Sequence, residues 1–135
     1  MAQGIFLLSN SAPISAQAPV LVVEDDLDIR ETCRQILELE GYDVLTAANG
    51  QQAFEVLRSC QVRPALILLD MMMPVMNGWE FLKSRCADPG ASTIPVVVVT
   101  AAGQMGNFEA STVQGFLKKP IELDTLLDTV KKFCH

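Results

Sequence analysis

The run Leu66-Ile67-Leu68-Leu69, closing on Asp70, constrains this chain more than any other stretch. Four consecutive apolar residues bounded by Pro64 and Pro74 suit a strand buried on both faces, as in the middle of a parallel sheet. Asp70 then stands at the carboxyl end of that strand. In open α/β sheets ligands gather in the crevice beyond those ends. The carboxylate is therefore either a functional group or an exposed turn residue, and its position alone leaves both readings open.

The rest of the chain repeats the theme. Val20 to Val23 is a second apolar run, and it ends in Glu24-Asp25-Asp26. A helix follows with Ile29, Cys33, Ile36 and Leu37 at helical spacing, capped by Asp26 or Asp28 and stopped at Gly41. Tyr42 to Ala47 reads as a strand, Asn49-Gly50 as a turn, and the next helix turns Ala53, Phe54, Leu57 and Cys60 inward. After Asp70 a loop runs through Met71, Met72, Met73 and Pro74 to Asn77-Gly78, and a third helix buries Phe81, Leu82 and Cys86. Pro95 to Thr100 and Gly115 to Lys118 read as the fourth and fifth strands. The segment between them has little periodicity, with a short helix expected over Phe108 to Thr112. The last helix carries the clearest stripe: Leu123, Leu126, Leu127, Val130 and Phe133. Strands alternating with helices through short links predict a doubly wound, five-stranded parallel sheet with helices on both faces. The expected organisation is one domain over residues 20–135, preceded by a mobile leader over 1–19 that Pro13 and Pro19 interrupt.

At 135 residues and 50% hydrophobic content the chain can fill a single core. Its 16 acidic residues against 10 basic ones leave a net charge of −6, which argues against a surface built to neutralise nucleic-acid phosphates. The four cysteines, Cys33, Cys60, Cys86 and Cys134, form no CxxC pair, so neither a zinc site nor a redox motif is encoded and a reducing cytoplasmic setting is expected. No apolar stretch approaches the roughly 18 residues needed to span a bilayer. Ile5 to Leu8 lacks the basic flank and length of a signal segment.

A parallel sheet brings all carboxyl ends to one edge. That edge would carry Glu24 and Asp25, then Asp70, then Thr100, then Lys119. Three gathered carboxylates raise one another's pKa unless a cation intervenes. A hard divalent ion with oxygen ligands, Mg²⁺ foremost, meets that need and accepts phosphate oxygens as further ligands. Lysine charge and a threonine hydroxyl beside such a centre point to phosphoryl transfer onto an aspartate, giving an acyl phosphate.

With these residues in place, the sequence resembles the receiver domain of bacterial two-component response regulators, of the stand-alone, flavodoxin-like type. The resemblance covers Val20 to about Phe133. It rests on Val22-Val23-Glu24-Asp25-Asp26, on Leu69-Asp70-Met71-Met72-Met73-Pro74 through Asn77-Gly78, on Pro95 to Ala101, and on Lys119-Pro120. It implies that Asp70 is the phosphoacceptor and that Asp25 binds Mg²⁺ directly. Glu24 would act through water, with the Met72 backbone carbonyl as a further ligand. Thr100 would be the switch hydroxyl, Phe116 the switch aromatic and Lys119 the phosphate-binding lysine, its bond to Pro120 being cis. The implied donor is a sensor histidine kinase or histidine phosphotransfer protein. The implied output is contact with a downstream protein or a second copy of the chain through the fourth- and fifth-helix face, without direct DNA or membrane binding. The segment from Thr100 to Phe116 is shorter than the pattern, and Val113-Gln114-Gly115 replaces its usual Gly-Ala turn.

Three other readings are weaker. An aspartyl-phosphate phosphatase similar to the haloacid dehalogenase group would need a second aspartate where Met72 stands. A nucleotide-binding domain would need a Gly-rich loop after the first strand. A receiver-like module that binds partners without phosphorylation would not require the full set of acidic, hydroxyl and lysine residues.

Overall fold

The computed structural model describes residues 17–101 and 113–134. Most of the leader, the short helix expected over Phe108 to Thr112, Ala102 and His135 lie outside the described residues. The described elements are β1 (Val20–Val23), α1 (Leu27–Leu39), β2 (Val44–Ala47), α2 (Gly50–Ser59), β3 (Leu66–Asp70), α3 (Gly78–Cys86), β4 (Val96–Thr100), β5 (Gly115–Lys118) and α4 (Leu123–Phe133). The last helix of the sequence reading is thus α4.

All five strands pair in parallel in the order β2-β1-β3-β4-β5. The uninterrupted apolar strands follow from burial on two sides. Leu21, Val23, Ile67, Leu69, Val96 and Val98 pack with Ala53 and Phe54 of α2 and Phe81 and Leu82 of α3. Val20, Val22, Leu66, Leu68, Val97, Val99 and Leu117 pack with Cys33 and Leu37 of α1 and Leu126 and Val130 of α4. The strand period of two therefore sorts side chains into two separate cores. Edge strand β2 is only partly buried.

Helix starts are fixed by side-chain caps. Asp26, not Asp28, is the N-cap of α1 and accepts from Ile29 N at 3.1 Å. Asn49 caps α2 through Gln52 N, so Gly50 opens that helix instead of completing a turn. Asn77 and Glu80 form a reciprocal capping box at α3, satisfying two backbone donors that would otherwise lack partners. Gly41 ends the α1 segment at φ +95°, a conformation only glycine adopts freely.

Several inward positions differ from the sequence expectation. Cys86 is exposed, and the buried position one residue earlier is Arg85. The apolar stem of an arginine can line a core, and its Nη2 donates to Ile94 O at 2.6 Å. Leu123 is half exposed because it opens α4, ahead of the turn that meets the sheet. β2 begins at Val44, two residues later than expected, and Cys60 is the C-cap of α2. Before β5, Gln114 replaces a conventional turn. Its backbone N–H donates to Val96 O while its side-chain oxygen accepts from Val96 N, so one residue pairs the start of β4 in both directions.

The β3–α3 loop is pressed onto its surroundings. Gly50 N donates to Met76 O and Gly78 N to Met71 O. Between them Val75 adopts φ +66°, with Met76 N bonded to Pro74 O at 2.7 Å. That is a strained three-residue turn for a β-branched residue. A Cβ on Gly78 would lie 2.7 Å from Met71 Cα and 2.9 Å from Asp70 O. Glycine there lets α3 approach the strand end that carries Asp70. Gly78→Ala should lower stability: helix propensity favours alanine by about 1 kcal/mol, but overpacking against backbone costs about 1–3 kcal/mol. Gly115→Ala, whose Cβ meets only Val97 Cγ2 at 3.7 Å, should leave the urea midpoint nearly unchanged. Equal midpoints for the two variants would contradict this account.

Candidate functional site

The site forms where β1 and β3 stop. Their last paired residues are Val23 and Leu69, so Glu24 and Asp70 are the next residues on neighbouring strands, about 4.8 Å apart along the hydrogen-bonding direction. Both are 3% exposed. Asp25, one residue on, is exposed at the mouth. One carboxylate oxygen from each of Glu24, Asp25 and Asp70 lies within 4.8 Å of the others. These hard oxygen donors in a compact group suit Mg²⁺ or a similar divalent ion.

Lys119 reaches this cluster from beyond β5. Its Nζ lies 3.1 Å from Glu24 Oε1 and 3.2 Å from Asp70 Oδ1. Its backbone N–H donates to Thr100 O at 2.9 Å, tying the lysine to the end of β4. The Lys119–Pro120 bond is cis. Asp70 Oδ1 also accepts from Met72 N at 3.3 Å, which turns the first residues of the loop back over the carboxylate. Glu24 Oε2 accepts from Asp26 N at 3.2 Å.

These contacts set the electrostatics. Burial pushes Glu24 up to about 7, and the adjoining Asp70 carboxylate adds to the effect. Burial raises Asp70 as well, against the opposing pull of Lys119 and the Met72 N–H. Burial alone would lower Lys119, but Glu24 and Asp70 outweigh it and hold the ammonium above the usual lysine range. The site is thus short of positive charge: one lysine faces two buried carboxylates with a third at the rim.

The sequence reading also named Thr100, Phe116 and Met72. Thr100 ends β4, is 1% exposed, and its hydroxyl makes a 3.4 Å contact to Ala101 O. Phe116 pairs with Val98 in the β4–β5 ladder and is 41% exposed. The Met72 side chain is exposed while its backbone belongs to the Asp70 turn. Sequence reasoning missed Arg30. Its Nη1 donates to Glu24 O at 2.8 Å and approaches Asp25 O at 3.5 Å. The only sequence signal was a basic residue one turn into the helix after the acidic pair.

Beside the site lies a groove of about 580 Å³ between α1 and the β5–α4 connection. Its apolar lining includes Ile29, Ile36, Ile121 and Leu126, and Lys119 reaches its end. Among the described residues no helix is long and apolar enough to cross a membrane.

The whole arrangement matches known proteins. The family model for the response regulator receiver domain matches residues 20–131. The chain is 36% identical to sporulation initiation phosphotransferase F of Bacillus subtilis, over 84% of this chain and 91% of that protein. It is 32% identical to the polar-differentiation response regulator DivK of Brucella anthropi, over 84% and 94%. Among solved structures it resembles the chemotaxis response regulator CheY4 of Vibrio cholerae, with TM-score 0.74, 30% identity and coverage of 87% and 98%. A CheY-like receiver domain from Methanospirillum hungatei JF-1 superposes with TM-score 0.76, 25% identity and coverage of 86% and 93%. The chain belongs to the response regulator receiver domain family of two-component signalling, a family of signalling domains and not of turnover enzymes.

Proposed function

We propose that residues 20–135 act as a phosphoacceptor switch in a cytoplasmic phosphorelay, with residues 1–19 as a leader, and that Asp70 carries the phosphoryl group. The observation that carries this reading is the buried Asp70 carboxylate held 3.2 Å from Lys119 Nζ beside Glu24 and Asp25. Asp70 is the nucleophile: its oxygen bonds to phosphorus as the phosphorus–nitrogen bond of a donor phosphohistidine breaks, and the departing imidazole takes up a proton. Lys119, whose Nζ lies 3.2 Å from Asp70 Oδ1, pairs with a phosphoryl oxygen. Thr100, whose hydroxyl makes a long 3.4 Å contact to Ala101 O among the described residues, donates to another. Asp25, Asp70 and the Met72 carbonyl would hold Mg²⁺, with Glu24 acting through water, and the ion would supply charge neutralisation for the carboxylates and the transferring group.

Phosphorylation adds about −1.5 to −2 charge. As Thr100 turns toward it, Phe116 moves inward from its half-exposed position, shifting the population between two packings of the face that includes β5 and α4. The output is protein contact at that face, with a downstream target or a second copy. The donor, a sensor histidine kinase or histidine phosphotransfer protein, docks over the apolar groove beside α1, which opens next to Lys119. Similarity to a sporulation initiation phosphotransferase supports a relay role.

Acetyl phosphate with Mg²⁺ should produce a slow band on a phosphate-affinity gel, absent without the metal and absent in Asp70→Asn. A Mg²⁺-dependent band retained by Asp70→Asn would place the acceptor elsewhere.

Metal affinity should depend on pH. Between the usual 4.5 and about 7 the folded, metal-free chain keeps a proton on Glu24 that the unfolded chain releases. This contribution to stability is present in full below 4.5 and is lost as pH rises through about 7. Mg²⁺ competes with the same proton, so its affinity should climb over that window and calorimetry should detect proton release on binding. A flat profile would argue that Glu24 is already ionised.

The acyl phosphate should be long-lived. Met72, two residues past Asp70, and Ala102, two past Thr100, offer no polar side chain to orient an attacking water. Decay should take many minutes in wild type and quicken in Met72→Asn, measured by loss of the shifted band. Wild-type decay within seconds, with no phosphatase present, would refute this.

A further inference from the structure

We infer that Arg30 is a positioning residue for the acidic pair: its guanidinium clamps the main chain of Glu24 and Asp25 and thereby presets the carboxylate group for a divalent ion. The inference rests on the proposed phosphoacceptor reading and deepens it. Glu24 follows directly on the last pair of the β1–β3 ladder, Val23 with Leu69. Here the backbone leaves the sheet and must turn into α1 within three residues, because Asp26 is already the helix cap. Arg30 lies one turn into α1, where its backbone N–H donates to Asp26 O at 2.9 Å.

Helical side chains tilt toward the helix N-terminus, so the long arginine reaches back across the turn. Its Nη1 donates to Glu24 O at 2.8 Å, with Asp25 O at 3.5 Å. A charged donor on a carbonyl is stronger than a neutral pair. Thus two of the three residues that contribute side-chain oxygens to the carboxylate group are held from behind through their carbonyls, Glu24 closely and Asp25 at longer range. Meanwhile their side chains face forward, where Lys119 meets Glu24 at 3.1 Å and the three acids converge.

The guanidinium's charge and its grip act oppositely on a divalent ion. A nearby positive charge repels the ion, so if charge were all that mattered, removing Arg30 would tighten Mg²⁺ binding. If the grip matters, removal frees the turn, the acids must be ordered at the moment of binding, and affinity falls. The sign of the change therefore separates the two effects.

The test is Mg²⁺ titration of the full chain by calorimetry, comparing wild type, Arg30→Met and Arg30→Lys, with urea midpoints of the metal-free proteins measured alongside. Arg30→Met keeps an apolar stem but no donor. It should weaken Mg²⁺ binding roughly ten-fold, the usual scale for removing a partner that orients metal ligands. Arg30→Lys, which can still donate to Glu24 O, should recover part of that loss. Labelling by acetyl phosphate should then show a raised Mg²⁺ requirement in Arg30→Met with an unchanged rate at saturating Mg²⁺. Equal or tighter Mg²⁺ binding in Arg30→Met would overturn the inference while leaving the phosphoacceptor reading intact. Absence of Mg²⁺ binding in wild type would overturn both.

Discussion

The structure depends on placing like charges side by side and keeping them there. Glu24 and Asp70 are neighbours because β1 and β3 are, and both follow directly on paired residues in a parallel register. If both were ionised at about 4 Å, their repulsion at an effective dielectric near 20 would be about 4 kcal/mol. The Lys119 ammonium between them offsets part of it, and a shared proton or a divalent ion can offset the rest. Burial at the strand end is the main cause that lifts Glu24 to about 7, and the neighbouring Asp70 that the sheet places beside it adds to the shift.

Such a site needs a scaffold that does not yield to it. Two apolar layers supply that, one under α2 and α3 and one under α1 and α4. Because β1, β3 and β4 are fully buried along their length, moving one strand end would disturb both layers at once. The loops have less of this support and use direct bracing instead. The turn after β1 is held by Arg30 and the Asp26 cap, and the turn after β3 by contacts to Gly50 and Gly78. The Val75 backbone at φ +66° shows that this second turn is held against local preference by its surroundings.

Much of this was legible in the sequence, for a definable reason. Strands buried on both faces leave continuous apolar runs, and Leu66 to Leu69 and Val96 to Val99 gave β3 and β4 to within a residue. Once the sheet was parallel, the acidic, hydroxyl and lysine residues at the strand ends had to share an edge. The helices were less readable because an inward face can include the stem of a long polar residue. Arg85 occupies the place expected for Cys86 on those terms. The choice between Asp26 and Asp28 as the α1 cap depended on backbone dihedrals that two nearby acids cannot distinguish. Arg30 was missed because its partner is a carbonyl, a group every residue carries, so no side-chain pairing betrays it.

A three-dimensional constraint also explains how the candidate groups Glu24, Asp70 and Thr100 are buried to 1–3% exposure and still lie at the carboxyl edge of the sheet. Strand ends are the last places where the sheet fixes a backbone and the first where a side chain can leave the core. Asp70 uses both properties: its main chain is in register with Val99 of β4, while its carboxylate meets the exposed Asp25 and the tip of Lys119. One residue earlier the group would be Leu69, inside the α2 and α3 layer. One residue later it would be Met71, whose side chain is again buried in that layer. The period of the strand thus turns Asp70 away from the layer that holds Leu69 and Met71, and the strand end gives its carboxylate polar partners.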